Sequence, residues 1–354
     1  MNETEETNAQ KTLLLFIELS GCACTCSHCY AEGHPYPPMP LDNTERVLRG
    51  AAHFCRSEGM KLQPHPYHDV LTRKDALRVM QMVAAYGYDF VPFETAAHIL
   101  GMRSDWEQIL TGARELGTTT MWFAFHGLGE VHDQAVRRRG AFVKAVLAIE
   151  RAKSAGFRCG ANVFFSTKNL HQIVEIDEFY RARLDEVCYE FPIYWPNPRL
   201  RTFEAIRPTL VQVAPYASMF TDAFNLSAGR WADLDRHTES YYVRHVLDEQ
   251  APEILCPPPA SDQIALVCRN NLDLHSGYPG IYGPFHGNLG RGSMQACFRK
   301  AKEAGQLSNG ELCFPGREIP PVQDLARNFG DSDSQKLHRN ADSVVNLWID
   351  RAMA

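Results

Sequence analysis

Four cysteines, Cys22, Cys24, Cys26 and Cys29, stand within eight residues of one another, while the other seven of the chain's eleven are scattered between Cys55 and Cys313. Cys22, Cys26 and Cys29 have the spacing C-x3-C-x2-C. Thiolates from one short loop can bind three irons of a [4Fe–4S] cube and leave the fourth iron open, where a ligand can react. The competing chemistry is a structural zinc site. Zinc usually takes paired Cys-x2-Cys or Cys/His ligands from two places, and no second pair is visible. The first ten residues carry Glu3, Glu5 and Glu6 and no apolar core, which is the wrong chemistry for a signal peptide. No apolar run approaches the roughly 18 residues of a membrane span, so a cytosolic protein is expected, in which cysteines serve metals or catalysis rather than disulfides. A net charge of −6 leaves no basic field for nucleic acid.

The elements that must position this loop follow a strand-then-helix rhythm. With 45% hydrophobic and 22% charged residues, the 354-residue chain has the composition of a folded enzyme. Residues 12–19 read as a buried strand, and Asp42 or Asn43 opens a helix that Gly59 ends. Strands are then expected at 60–63, 88–94, 119–125, 161–166 and 186–191. Helices are expected at 75–85, after a capping box at Ser104 and Glu107, at 142–155, and after Asn169. Parallel strands need crossover helices, so six alternations predict an α/β fold, a partial (β/α)6 TIM-like barrel. Beyond Trp195 the rhythm fails. A helical stretch at 208–224, a linker at Cys256 to Pro259, and a hairpin at 264–274 turning at Asn270 and Asn271 predict a smaller C-terminal α+β appendage. The expected division is a polar tail at 1–11, a core at 12–200 and a C-terminal region at 201–354.

The three spaced cysteines followed by Tyr30, on the loop after a first barrel strand, resemble the defining motif of the radical SAM enzymes. The resemblance covers about residues 12–200. It implies that Cys22, Cys26 and Cys29 hold a [4Fe–4S] cluster, that S-adenosylmethionine chelates its open iron, and that one electron, from a flavodoxin or ferredoxin, cleaves the cofactor to a 5′-deoxyadenosyl radical. Cys24 matches no family ligand and reads as a small buried thiol. Residues matched to cofactor contacts are His28 and Tyr30 in the motif, Gln63, His65 and Pro66 at the end of the second strand, Thr95 after the third, Ala124 and His126 around the end of the fourth, and Asn162 on the fifth. His65 stands where the family usually has Glu. His132 and Asp133 read as structural, and Arg137, Arg138 and Arg139 as a solvated turn or a contact for an anionic substrate.

The segment from Cys256 through Cys268 to Gly287-Asn288-Leu289 and Cys297 is similar to a degenerate SPASM/twitch extension, which in that family binds auxiliary clusters. Cys256, Cys268, Cys297 and Cys313 are therefore candidates for a second [4Fe–4S] cluster, although a single cluster is expected. The resemblance implies hydrogen abstraction from a small-molecule or amino-acid-derived substrate, with natural-product epimerisation as the first expectation. Cys268, Cys297 or Cys188 would then return the hydrogen atom. Dehydrogenation or sulfur insertion, maturation of a ribosomal peptide, and a non-catalytic iron–sulfur or zinc protein are the alternatives.

Overall fold

The computed structural model describes residues 11–29, 31–219, 234–248, 263–305 and 309–354. Six strands with intervening helices come first: β1 (Thr12–Glu18), α1 (Leu41–Ser57), β2 (Lys61–Tyr67), α2 (Ala76–Ala84), β3 (Phe93–Thr95), α3 (His98–Met102), α4 (Trp106–Glu115), β4 (Thr120–Phe125), α5 (Gly129–Val136), α6 (Ala141–Ser154), β5 (Arg158–Phe164), α7 (Ile173–Arg181) and β6 (Glu186–Glu190). Burial alternates along the strands. Leu13, Leu15 and Ile17 are almost wholly buried and share one core with Val47, Leu48, Ala51 and Phe54 of α1, whereas Leu14 and Phe16 are half-buried. Met121, Phe123, Cys159, Ala161 and Val163 lie in that same core. The remaining positions, among them Trp122, Ala124, Asn162 and Phe164, therefore share the inner face, away from the helices.

Two sheets result, with strand orders β3-β4-β5-β6 and β2-β1-β7-β8-β9. The first is wholly parallel. In the second, β7 (Gln263–Cys268) pairs in parallel with β1, and β8 (Asp273–Tyr278) and β9 (Ile281–Asn288) follow as antiparallel partners. The hairpin read from Asn270 and Asn271 is present, in the same sheet as β1. Among the described residues, the helices of the C-terminal part are α8 (Pro198–Glu204), α9 (Leu210–Val213), α10 (Glu239–Leu247), α11 (Met294–Ala304), α12 (Asn309–Cys313), α13 (Val322–Phe329) and α14 (Ala341–Met353). α11 lies against α1 through stacked Phe54 and Phe298, and a second core joins Tyr242 and Val246 to Leu325, Val344 and Trp348.

Several expected bounds move for physical reasons. β2 runs on through Pro64 and Pro66, which an edge strand tolerates because one side needs no ladder donor. β3 is shorter than 88–94 because Pro92, having no N–H, cannot join the ladder. β5 begins and ends earlier than 161–166, and Asn169 closes the following turn by accepting from Ser166 N and donating to Phe164 O. The capping box at Ser104 is not formed. Asp105 occupies the cap position, and its carboxylate takes the Arg103 guanidinium instead. The stretch at 208–224 is broken into α9, capped by Thr209 and Gln212, and a 3-10 turn at Ala214–Met219, beyond which it leaves the described residues. No helix among the described residues is long and apolar enough to cross a membrane.

Candidate active site

The cysteine loop leaves the C-terminal end of β1, and its two ends are tied together. Leu19 O accepts from Met39 N at 3.0 Å, and the buried Arg73 donates Nη1 to Leu19 O at 2.7 Å and to Met39 O at 2.8 Å. Asp75 holds the other edge of that guanidinium at 2.8 and 2.9 Å. Inside the loop the chain doubles back, with Cys22 N donating to His34 O. A Cβ on Gly21 would sit 2.5 Å from Tyr36 N, so the close approach requires glycine. The far side is pinned to α5 by Thr25 N to Val136 O and Ser27 N to Ala135 O, and Arg138 Nη1 reaches Ala23 O at 3.2 Å. One of the three arginines read as a solvated turn thus braces the loop.

Cys22, Cys26 and Cys29 are half-buried. Gly33 shows that two of them share a space: a Cβ there would lie 3.4 Å from Cys29 Sγ and 3.6 Å from Cys22 Sγ. Gly33 N donates to Cys29 Sγ at 3.2 Å and Cys24 N to Cys22 Sγ at 3.4 Å. Hydrogen bonding from Cys24 lowers the Cys22 pKa, while burial and then the neighbouring Cys26 push Cys29 up to about 11. Cys24 is more deeply buried than Cys22, Cys26 and Cys29. It is buried with Val136 and Ala141, its Sγ 3.5 Å from His98 Nε2, and its pKa is raised by its hydrogen bonds to Cys22 and Cys26.

Among the described residues no three His, Cys, Asp or Glu side chains converge where one metal ion would sit. Three half-exposed thiols on one loop, two of them accepting N–H bonds that would stabilise thiolate, fit the cluster.

Beside the loop is a group of aromatic rings. His28 lies 4.2 Å from His126 and 5.6 Å from both Phe164 and Phe203, between ring centroids. Burial lowers His28 to about 4 and His126 well below its ordinary value, so both are neutral at pH 7. His126 Nδ1 is buried with no hydrogen-bond partner. His132 accepts from His126 N at 3.2 Å through Nδ1, and Asp133 accepts from Phe142 N, capping α6.

Ala124, Asn162 and Cys188 are register neighbours on the inner face. Gln63 and His65 pair with Leu14 and Phe16 and also face inward, and His65 Nε2 is buried without a hydrogen-bond partner. Pro66 pairs with Ile17 and so takes the helix-facing parity of that strand. The Thr95 hydroxyl is already engaged: it donates to Asp69 Oδ2 at 2.8 Å, beside Ala96 N at the same oxygen. Sequence reasoning missed Asp69 and Arg73. Asp69 is buried, its pKa raised by that burial, and its carbonyl takes Ser20 Oγ, so it ties the loops after β1, β2 and β3. No spacing signal marked either residue. Tyr30 and Cys256 lie outside the described residues.

The three candidate hydrogen donors part company here. Cys268 pairs with Ile17 and is fully buried in the helix-facing core. Cys297 lies in that core on α11, its Sγ 2.6 Å from where a Gly287 Cβ would be. Neither faces the barrel interior, where a residue returning the hydrogen atom is expected to stand: the hairpin after Cys268 extends the sheet of β1 instead. Cys188 does face inward and donates Sγ to Glu190 Oε1 at 3.3 Å.

No family model matches the chain, and no curated protein does. Solved structures do resemble it. Native anSMEcpe with bound AdoMet and the Cp18Cys peptide has a TM-score of 0.50 at 13% identity, covering 96% of each chain. SuiB of Streptococcus suis bound to S-adenosylmethionine has a TM-score of 0.51 at 14% identity, covering 96% of this chain and 78% of that one. SuiB bound to its precursor peptide SuiA has a TM-score of 0.50 at 12% identity, covering 96% and 76%. The chain shares the fold of these solved structures. In that fold the cysteine loop of this chain leaves the first strand at its C-terminal end, where enzymes built on parallel strands place their chemistry.

Proposed function

We propose that the protein is a radical SAM enzyme in which Cys22, Cys26 and Cys29 bind three irons of a [4Fe–4S] cluster and S-adenosylmethionine takes the fourth. The observation that carries this reading is the gathering of Cys22 and Cys29 around Gly33, with an N–H donor on each of those two sulfurs, on the loop that also carries Cys26. When bound, the two cofactors supply a 5′-deoxyadenosyl radical that takes a hydrogen atom from an unactivated carbon. The neutral rings of His28 and His126 offer flat faces to the adenine. Gln63 and His65 stand on the wall from which the methionine end would be held, and Asn162 reaches the cofactor from β5. Thr95 acts through Asp69, positioning the loops. A flavodoxin or ferredoxin supplies the electron.

The substrate is a small natural product or an amino-acid derivative, and epimerisation is the outcome favoured by Cys188, a thiol on the inner face. Its S–H hydrogen passes to the substrate carbon radical, leaving a thiyl radical that one electron and one proton restore. A second reading, maturation of a ribosomal peptide, has its own support in the likeness to structures solved with peptides bound. The auxiliary cluster is disfavoured because Cys268 sits in the core. We therefore expect about four irons per chain.

Anaerobic reconstitution followed by reduction with S-adenosylmethionine tests the proposal. Wild type should release 5′-deoxyadenosine, and the Cys22→Ala, Cys26→Ala, Cys29→Ala triple variant should not. Release by the triple variant would mean that these thiols do not hold the reacting cluster, and none by wild type carrying its cluster would leave an iron–sulfur or zinc protein without this catalysis.

A further inference from the structure

The turn of three arginines at 137–139 takes no part in the chemistry above, yet it lies against the back of the cysteine loop. Val136 and Ala141, which bracket the turn, are buried together with Cys24, and Cys22 and Cys26 pack against them. Thr25 N to Val136 O, Ser27 N to Ala135 O, and Arg138 Nη1 to Ala23 O at 3.2 Å run along the same contact. Arg137 adopts the left-handed conformation, φ 54°, which side-chain-bearing residues rarely take. Arg138 is half-buried on the loop, while Arg137 and Arg139 are exposed. α3 adds Met102, whose Sδ lies 3.4 Å from Arg138 Nη2. α6 adds Val143 and Lys144, and it packs so closely on α3 that a Cβ on Gly101 would overlap Lys144 O. Met102 and Val143 are 49% and 67% exposed, so nothing within the chain covers them. No ion pair engages Arg137, Arg139 or Lys144 among the described residues.

Charged side chains around apolar ones are the anatomy of a small protein interface. On a chain of net charge −6 this patch has the sign opposite to the whole, which steers an anionic protein towards it. Val136 and Ala141 are then the layer between such a protein and the thiols of Cys22 and Cys26. We propose that the patch docks an acidic, low-potential electron-carrier protein, which loses one electron to the cluster held on the loop. The electron step rests on the function proposed above; the docking surface does not. An acidic flavodoxin and an acidic ferredoxin share this chemistry.

Calorimetric titration of the full chain with an acidic flavodoxin, an acidic ferredoxin and the basic carrier cytochrome c tests it, before and after reconstitution. At least one acidic carrier should bind, more weakly as salt rises, and cytochrome c should not. The tighter of the two acidic carriers marks the source of the electron. The Arg137→Gln, Arg139→Gln, Lys144→Gln variant should weaken that binding about tenfold or more. It should also slow 5′-deoxyadenosine release driven by the carrier, while release driven by titanium(III) citrate stays as in wild type. The Arg291→Gln, Arg299→Gln, Lys300→Gln variant removes the same charge in and just before α11 and should change neither. No binding of either acidic carrier, equal binding of cytochrome c, no loss in the first variant, or an equal loss in the second overturns the proposal. Should the first variant not fold, carbodiimide cross-linking of the carrier to the unsubstituted chain decides: Lys144 should be joined to a carrier carboxylate, and links at other lysines alone overturn the assignment. Carrier binding without cleavage of S-adenosylmethionine under any reductant overturns the radical reading alone, and cleavage with titanium(III) citrate without carrier binding overturns this one.

Discussion

A thiol can return a hydrogen atom only to a carbon it faces, so side-chain parity decides among the chain's cysteines. Cys188 shares the inner face with Asn162, while Cys268 shares the helix-facing side with Ile17. The sequence alone offers Cys268, which precedes the hairpin turn, as readily as Cys188. What could not be read was that β7 pairs with β1, which depends on contacts between residues some 250 positions apart in the chain. We expect turnover in deuterated water to place one solvent deuterium at the altered carbon. Cys188→Ala should abolish product while 5′-deoxyadenosine still forms, whereas Cys268→Ala should keep the deuterium label. Mass spectrometry of the product distinguishes these outcomes. A product two hydrogens lighter without deuterium would reject epimerisation.

Among the elements, the cysteine loop depends on a residue from another strand–helix unit. Arg73 gives its guanidinium to Leu19 O, Met39 O and the Asp75 carboxylate, closing the loop at its root while remaining 3% exposed. Arg73→Met would leave Met39 O with no donor, Leu19 O with only the Met39 N–H, and the Asp75 carboxylate without its guanidinium, a cost of about 2 kcal/mol once the exposure of Asp75 is discounted. Urea unfolding should show that loss, and hydrogen exchange at the Cys22 and Met39 amides should accelerate. Arg73→Lys should recover only part, because an ammonium cannot fork to both. A change below about 0.5 kcal/mol would mean that water replaces the guanidinium. The alternation that built the barrel was legible, because buried parallel strands and amphipathic helices leave periodic traces, and so was the C-x3-C-x2-C loop. Arg73 and Asp69 were not, since a buried charge is recognised by its partners and no local pattern announces them. The strand bounds near Pro92 and Asn169 failed for a similar reason: there the ladder is set by the neighbouring strand.

Across the whole molecule, neutral histidines are buried at several points of one connected structure, and this sets its response to acid. His98 and His132 are each 2% exposed, and burial, the larger cause in both, lowers each from about 6.5 to about 4. A histidine whose folded pKa lies below its unfolded value takes up its proton first in the unfolded chain. The unfolded state therefore binds more protons between pH 6.5 and 4, and stability falls as pH falls through that window. At about 1.4 kcal/mol per pH unit, each of the two removes up to about 3 kcal/mol by pH 4. Protonation of His132 would also cost the bond its Nδ1 accepts from His126 N, which seats the rings beside the cysteine loop. Urea midpoints taken at pH 7.5, 6, 5 and 4.5 should be level above about pH 7 and then decline steeply. In the His98→Gln, His132→Gln double variant the decline should be shallower, by roughly the amount those two groups supply. A midpoint independent of pH from 7.5 to 4.5 would mean that both imidazoles are charged in the folded protein, and the neutral ring cluster assigned to the adenine side of the site would have to be abandoned with them.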